Sequence, residues 1–261
     1  MKGKNAIITG STQGIGEAIA RKLISKGLSN LIICGRNNNK GNKLSDELNE
    51  LGCNTIYVQS DLSKIEECNK IIDTAIKSFK TIDILVNSAG ITDRGTLIDT
   101  SPELFDKIFA VNVRAPFFLM SGVVQNMIKN NNSGSILNII SMSSHGGQPK
   151  LSAYSTSKGA LATLTKNVAF AYMRNNIRVN GLNIGWSDTP GEHSIQINND
   201  KAPDNWLIEA EKDQPLGRLI KPQEIAEVSN FILSAKSGMM TGVIMDYDQS
   251  VHGANYTPPR P

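Results

Sequence analysis

Short apolar, β-branched runs alternate along this chain with longer segments whose apolar positions recur at helical spacing. Residues 5–9 read as a strand, and residues 14–26 carry Ile15, Ile19, Leu23 and Ile24 on one helix face before Gly27 stops the pattern. The same alternation predicts strands at 30–34, 55–59, 82–86, 135–140 and 177–182, and helices at 39–51, 66–79, 102–130 and 153–173. From Gly185 to about Gln214 the pattern lapses into a mixed polar segment, too long for a routine connection. A mobile lid or substrate loop over 186–215 is the natural expectation. A helix at 222–234 and a strand at 241–247 follow, and a proline-bearing tail, 251–261, ends the chain. Strands that take turns with helices build βαβ units, so the expected fold is α/β, with a Rossmann-like, doubly wound parallel sheet of about seven strands and helices on both faces. No internal repeat or linker-like run interrupts it, so one domain spanning 1–261 is expected.

Composition narrows the class without changing that picture. With 261 residues, 39% apolar and 20% charged, the chain can bury a sizeable core. The net charge of +3 is small and dispersed, with no long basic run, which argues against a nucleic-acid partner. Apolar stretches are interrupted within about ten residues, short of the ~20 that span a bilayer. The N-terminus leads straight into a strand and leaves no room for a signal peptide, so a soluble, cytoplasmic chain without a membrane partner is expected. Cys34, Cys53 and Cys68 are odd in number and form no C-x-x-C or metal spacing; reduced thiols and no metal site are expected.

The first strand and helix enclose Thr9-Gly-Ser-Thr-Gln-Gly-Ile-Gly16. Glycines at 10, 14 and 16 let backbone approach a pyrophosphate closely, and the helix that follows aims free N–H groups and a positive dipole end at it. Gly10, Ser11, Thr12, Gln13, Gly14, Ile15 and Gly16 are therefore candidate nucleotide contacts. About twenty residues on, where dinucleotide folds place an acid for the ribose, the second strand runs into Gly35-Arg36-Asn37, with Lys40 and Lys43 beyond. A planar guanidinium there suits a 2′-phosphate, so NADP(H) is favoured and NAD(H) is not excluded; Arg36 could also be a solvated loop arginine. Asp61, followed by Leu62, ends the third strand and suits either an adenine amino group or the start of the next helix. After the fourth strand, Asn87-Ser-Ala-Gly90 lets the chain pass close to a flat ligand, with Asn87, Ala89 and Gly90 as contacts.

Tyr154 and Lys158 stand four apart on the predicted helix 153–173 and would share a face. A phenol titrating near ~10 is a poor acid or base at neutrality, and a neighbouring ammonium stabilises its phenolate. Ser141, at the end of the strand 135–140, can polarise a carbonyl or hold an alcohol. Asn112 lies amid apolar neighbours in a predicted helix interior, where it is either a satisfied core amide or a backbone-bending, water-holding residue beside a site.

From Lys4 to about Asp248 this constellation resembles the short-chain dehydrogenase/reductase family. The turn at 9–16, Asp61, Asn87-Ser-Ala-Gly90, Asn112, Ser141, Tyr154 and Lys158 match in order and spacing. The resemblance implies an NAD(P)-dependent oxidoreductase with the catalytic tetrad Asn112, Ser141, Tyr154 and Lys158. In it Tyr154 exchanges a proton with the substrate oxygen while hydride moves between substrate carbon and nicotinamide. Lys158 would hold the nicotinamide ribose and lower the tyrosine pKa, Ser141 orient the substrate, and Asn112 keep a water in the relay. Gly185 and Trp186 would face the nicotinamide. A homotetramer or homodimer, built from the helices 102–130 and 152–173, is also implied.

Three departures stand out. Asn87-Ser replaces the family's Asn-Asn, Ile184-Gly185 replaces Pro-Gly, and Tyr247-Asp-Gln-Ser250 replaces Val-Asp-Gly-Gly. The tail at 251–261 would reach a neighbouring subunit. Candidate substrate contacts are Ser141, Ser143, Gln148, Tyr154 and His193, with His145, Asn183 and Ser187 nearby and Trp186 as a stacking wall. Donors and acceptors beside an aromatic face suit a sugar, polyol or sugar acid. The alternatives are reduction of a 3-oxoacyl thioester and, in another class, a non-catalytic nicotinamide-binding sensor or scaffold.

Overall fold

The computed structural model describes residues 1–251, so beyond Val251 the tail lies outside the described residues. Strands β1 (Asn5–Ile8), β2 (Asn30–Gly35), β3 (Asn54–Gln59), β4 (Ile84–Asn87), β5 (Gly134–Ile139), β6 (Ile177–Ile184) and β7 (Ile244–Tyr247) form one parallel sheet in the order β3-β2-β1-β4-β5-β6-β7. Adjacent strand residues face opposite layers. Ala6 and Ile8 pack with Leu23 of α1 (Gly14–Ser25), Leu48 of α2 (Asn38–Glu50) and Ile225 of α9 (Pro222–Leu233). Ile7, between them, packs with Ile71 of α3 (Ile65–Phe79), Val123 of α5 (Ala115–Lys129) and Ala169 of α6 (Ser152–Tyr172). Each such side chain contributes about 1.5–3 kcal/mol on burial. The strand order reverses between β1 and β4, and the cleft of a doubly wound sheet opens at the carboxyl ends beside that reversal.

Two elements differ from expectation. The helix predicted at 102–130 is α4 (Pro102–Phe109), a wide π turn at Ala110–Arg114, and then α5. Pro116 explains the widening: it has no N–H for the Asn112 carbonyl, and its ring would press on that carbonyl in a regular turn. The whole run Pro102–Lys129 is long and apolar enough to cross a bilayer by length and composition, contrary to the sequence expectation, and more than half of its most apolar stretch is buried in the fold. The segment expected to be irregular holds two helices, α7 (Pro190–Asn198) and α8 (Trp206–Lys212). Thr189 accepts from the Glu192 N–H and Pro190 occupies the first turn, so Thr189-Pro-Gly-Glu192 starts α7 although the segment lacks a strong apolar face.

Candidate active site

An open cleft of about 2010 Å³ runs from the glycine turn, past the ends of β2, β4 and β5, to α7. At one end Gly10 and Gly14 adopt positive φ, +60° and +61°. A Cβ on Gly10 would lie 2.7 Å from the Ala89 Cα, and one on Gly16 would overlap the Gly10 carbonyl. The turn is thus packed backbone to backbone, as a pyrophosphate cradle requires. Gln13 precedes α1 without capping it through its side chain, which leaves the first-turn N–H groups for an anion. These features fit a dinucleotide.

Ser11 does not line this cleft. Its buried hydroxyl donates to the Ile8 carbonyl at 2.7 Å and accepts from the Cys34 N–H at 3.0 Å, so it ties the turn to β2. Thr12, Gln13, Ile15, Arg36, Leu62, Ala89 and Gly90 do line it. Arg36 is exposed and makes no ion pair among the described residues, while Lys40 Nζ donates to Gln13 Oε1 at 3.1 Å. Asp61 lines the cleft and also organises its turn: Oδ1 accepts from the Ser63 N–H and hydroxyl at 3.0 and 2.8 Å, bonds that hold its carboxyl below the usual range. It does not cap α3, whose N-cap is Lys64. Asn87 lies behind the lining, its amide donating to Asn138 Oδ1 at 2.8 Å.

At the centre, Ser141, Tyr154 and Lys158 face one space. Ser141 Oγ accepts from the Ser143 N–H at 3.2 Å, and Ser143 Oγ donates to Gln148 Oε1 at 2.6 Å. Burial pushes the Tyr154 phenol up to about 12, opposed by the Ser141 hydroxyl; Glu192 raises it further and Arg94 lowers it. The expectation that Lys158 brings the phenol down does not hold in this arrangement. Lys158 Nζ donates to the Ile139 carbonyl at 2.9 Å and lies 5.7 Å from the tyrosine ring centroid, and burial pushes its own pKa down to about 8. Asn112 is fully buried behind the cleft. Its Oδ1 accepts from the Ile91 N–H at 3.0 Å, and its amide donates to the Ile91 carbonyl and to Ser157 Oγ, each at 3.0 Å. The side chain joins the β4–α4 loop to α6, and the π turn sets it there.

The far end joins Trp186, expected from the sequence, to residues that sequence spacing did not reveal. Arg94, from the loop before α4, reaches Asp200 with Nη2 at 3.0 Å and Glu192 at 3.6 Å. Glu192 Oε1 accepts from Trp186 Nε1 at 2.9 Å and Gln196 Nε2 at 2.8 Å. Trp186 lines the cleft and stacks on Trp206, with centroids 6.0 Å apart. His193, expected to touch substrate, is not in the lining: it pairs with Asp188 at 2.8 Å and sets its ring against Trp206, on the scaffold side of α7. His145 lines the cleft and is held by Asp246 at 3.0 Å. Asn183 is buried behind it and donates to the same carboxylate at 2.7 Å, while Ser187 is in the lining. The unusual 247–250 stretch also has a place here. Asp248 lies against Gly185, where a Cβ would collide with it, and Gln249 clamps the segment after α8 through the Leu216 N–H and the Arg218 carbonyl, at 2.9 and 2.8 Å.

Known proteins share the sequence pattern and the fold of this chain. The family model described as short chain dehydrogenase matches residues 4–200. The chain is 35% identical to oxidoreductase UcpA of Salmonella typhimurium over 247 residues, covering 93% of this chain and 92% of that protein. It is 30% identical over 253 residues to glucose 1-dehydrogenase 2 of Bacillus subtilis, covering 95% and 94%. Among solved structures it is similar to a 3-ketoacyl-(acyl-carrier-protein) reductase from Brucella melitensis complexed with NADH. The TM-score is 0.82 at 29% identity, over 95% of this chain and 98% of that one.

Proposed function

The chain belongs to the short-chain dehydrogenase/reductase family and is a nicotinamide-dependent oxidoreductase, and from that premise we propose that it interconverts a secondary alcohol and a carbonyl on a polar, hydroxylated small molecule, with NADP(H) preferred. The cofactor would lie along Gly10–Gly16, Arg36, Asp61 and Ala89–Gly90, and when bound it supplies or accepts the hydride. Tyr154 passes a proton to the carbonyl oxygen in reduction and takes it from the hydroxyl in oxidation, so hydride and proton together account for the alcohol's two hydrogens. Its buried phenol, which keeps its proton across neutral pH, suits it as the donor. Ser141 donates to the same oxygen. Lys158 presents its ammonium beside Gly90, where an added Cβ would sit 3.4 Å from Nζ. Asn112 acts as a positioning residue through Ile91 and Ser157.

One observation carries the substrate class: the cleft that holds Tyr154 is also lined by the Trp186 ring, with Glu192 and Gln196 bonded at its edge, and by Ser143 and Gln148. Apolar C–H faces of a sugar stack on such a ring while its hydroxyls meet the polar groups. Glucose 1-dehydrogenase 2 among the relatives supports this reading, and the structural likeness to a 3-ketoacyl reductase supports the second, reduction of a 3-oxoacyl thioester. Initial rates with NADP⁺ and a panel of sugars, polyols and sugar acids, set against acetoacetyl thioester with NADPH, decide between them. We expect the best panel member to exceed the thioester at least tenfold in kcat/KM; the reverse order would overturn the reading.

We also propose that copies of this chain associate through α4–α5 and α6. Phe105, Phe117, Phe118 and Phe170 are exposed on those helices, a density of aromatic surface that marks interfaces. Light scattering at micromolar concentration should give a dimer or tetramer, and a monomer mass would refute it.

A further inference from the structure

We propose that Glu192 sets the charge of the substrate: it accepts hydrogen bonds from the hydroxyls of a neutral sugar or polyol and excludes a substrate that carries a carboxylate. This rests on the oxidoreductase reading above and narrows its substrate class.

Glu192 is held as a binding group is held. It lies in the first turn of α7, where Thr189 Oγ1 accepts from its N–H at 3.1 Å. Its Oε1 is fixed from two sides by the Trp186 indole and the Gln196 amide. The side chain is only 16% exposed although it lines the cleft, and Oε2 makes no hydrogen bond among the described residues. A carboxylate oxygen so placed is an acceptor without a donor, and a sugar hydroxyl is a donor of the right length. Trp186 places an aromatic face beside it. Glu192 and Arg94 both act through their charges on the Tyr154 phenol, which puts both within electrostatic reach of the atom that meets the substrate oxygen.

Arg94 is the group that would otherwise welcome an acid, and it is already engaged. Its Nη2 and Nε reach Asp200 at 3.0 and 3.3 Å, and Nη1 donates to the Thr92 carbonyl at 3.3 Å. Two carboxylates against one guanidinium leave this corner with a net charge of −1. Of the other cations in the lining, Lys107 lies 3.8 Å from Asp93, Lys158 donates to the Ile139 carbonyl, Lys150 is exposed on a turn, and Arg36 and Lys40 stand at the glycine-turn end. A substrate carboxylate placed on Trp186 would therefore meet Glu192 beside an Arg94 that is already engaged, and like charges at close range repel.

The test measures kcat/KM with NADP⁺ for D-glucose, D-sorbitol and xylitol against D-gluconate, in the wild type, Glu192→Gln and Glu192→Asp. The wild type should favour its best neutral substrate over gluconate at least tenfold. Glu192→Gln keeps an acceptor for Trp186 but loses the charge, and should shrink that ratio at least fivefold, chiefly through KM. Glu192→Asp keeps the charge one methylene further back, and should preserve the ratio while raising KM for the neutral substrate. A wild type that prefers gluconate, or a ratio that Glu192→Gln leaves unchanged, would overturn this inference and leave the oxidoreductase reading intact. Turnover of acetoacetyl thioester with none of the four would overturn both this inference and the hydroxylated-substrate reading on which it rests. Should Glu192→Gln fail to fold, a wild-type ratio below tenfold still overturns the inference.

Discussion

Tyr154→Phe is expected to lower kcat by about 10²–10⁴-fold, the range that a positioned proton donor contributes, while Kd for NADP(H) stays within a few-fold of wild type. The phenyl ring fills the same space as the buried phenol, so the fold loses only a hydroxyl beside Ser141. A variant that keeps more than a tenth of wild-type kcat would remove Tyr154 from the proton path. The pH dependence carries a second signature. Burial lifts the phenol to about 12, so in the free protein it remains a donor up to strongly alkaline pH. Burial also lowers Lys158 to about 8, so the ammonium is complete only below that value. A reduction that uses both should show kcat/KM level through neutrality and falling as pH rises through about 8. Stability follows the same groups with opposite signs. The unfolded lysine holds its proton to about 10.5 and the folded one to about 8, so the unfolded state binds more protons in that window and the lysine's contribution to stability rises with pH across it. The folded tyrosine holds its proton beyond 10, so its contribution is full below about 10 and is lost between about 10 and 12.

What could be read from the sequence depended on how local each signal is. Strands of a parallel sheet are buried on both faces, so Ile7-Ile8, Leu31-Ile32-Ile33 and Leu85-Val86 appear as continuous apolar runs, and the alternation of strand and helix follows. The glycine turn and the Tyr154–Lys158 pair are also local, fixed by spacing within one or two elements. Signals made between elements were out of reach. Arg94 meets Asp200 across more than a hundred residues, and nothing near either one announces the pairing. His193 and Glu192 are neighbours in the chain, yet one turn of α7 sends the first toward Trp206 and Asp188 and the second into the cleft. The helix α7 was legible in principle from Thr189-Pro-Gly-Glu192, a capping pattern that outweighs a weak apolar face. Likewise Pro116, four residues after Asn112, marked where the long helix had to widen. Chain-local reading also overstated Ser11, because a hydroxyl in a nucleotide turn looks available until β2 closes over it.

Arg36→Asp should reverse the proposed cofactor preference, moving the ratio of kcat/KM for NADP(H) over NAD(H) by about 10²–10³-fold. The residue sits where β2 ends, and its backbone is firmly placed. Gly35 before it packs on Thr12, where a Cβ would come within 2.7 Å of Oγ1, and the Arg36 carbonyl accepts from Gln59 Nε2 at 3.1 Å. Asn37 after it caps α2 by accepting from the Lys40 N–H at 2.9 Å. Only the guanidinium is uncommitted, exposed in the cleft lining without an ion pair among the described residues. Charge-assisted hydrogen bonds to a phosphate are worth about 1.5–3 kcal/mol, which is roughly 10–150-fold, and a carboxylate in the same place adds repulsion of the phosphate. The same carboxylate can accept from a free ribose hydroxyl, so kcat/KM for NAD(H) should rise rather than merely survive. Lys40, bonded to Gln13 on the same side of the cleft, keeps some attraction for the phosphate, which bounds the loss. Because both cations are exposed, the wild-type KM for NADP(H) should rise with ionic strength more steeply than that for NAD(H). A cofactor ratio that moves less than twofold on Arg36→Asp would show that the guanidinium is a solvated loop group and that the selectivity lies elsewhere in the turn.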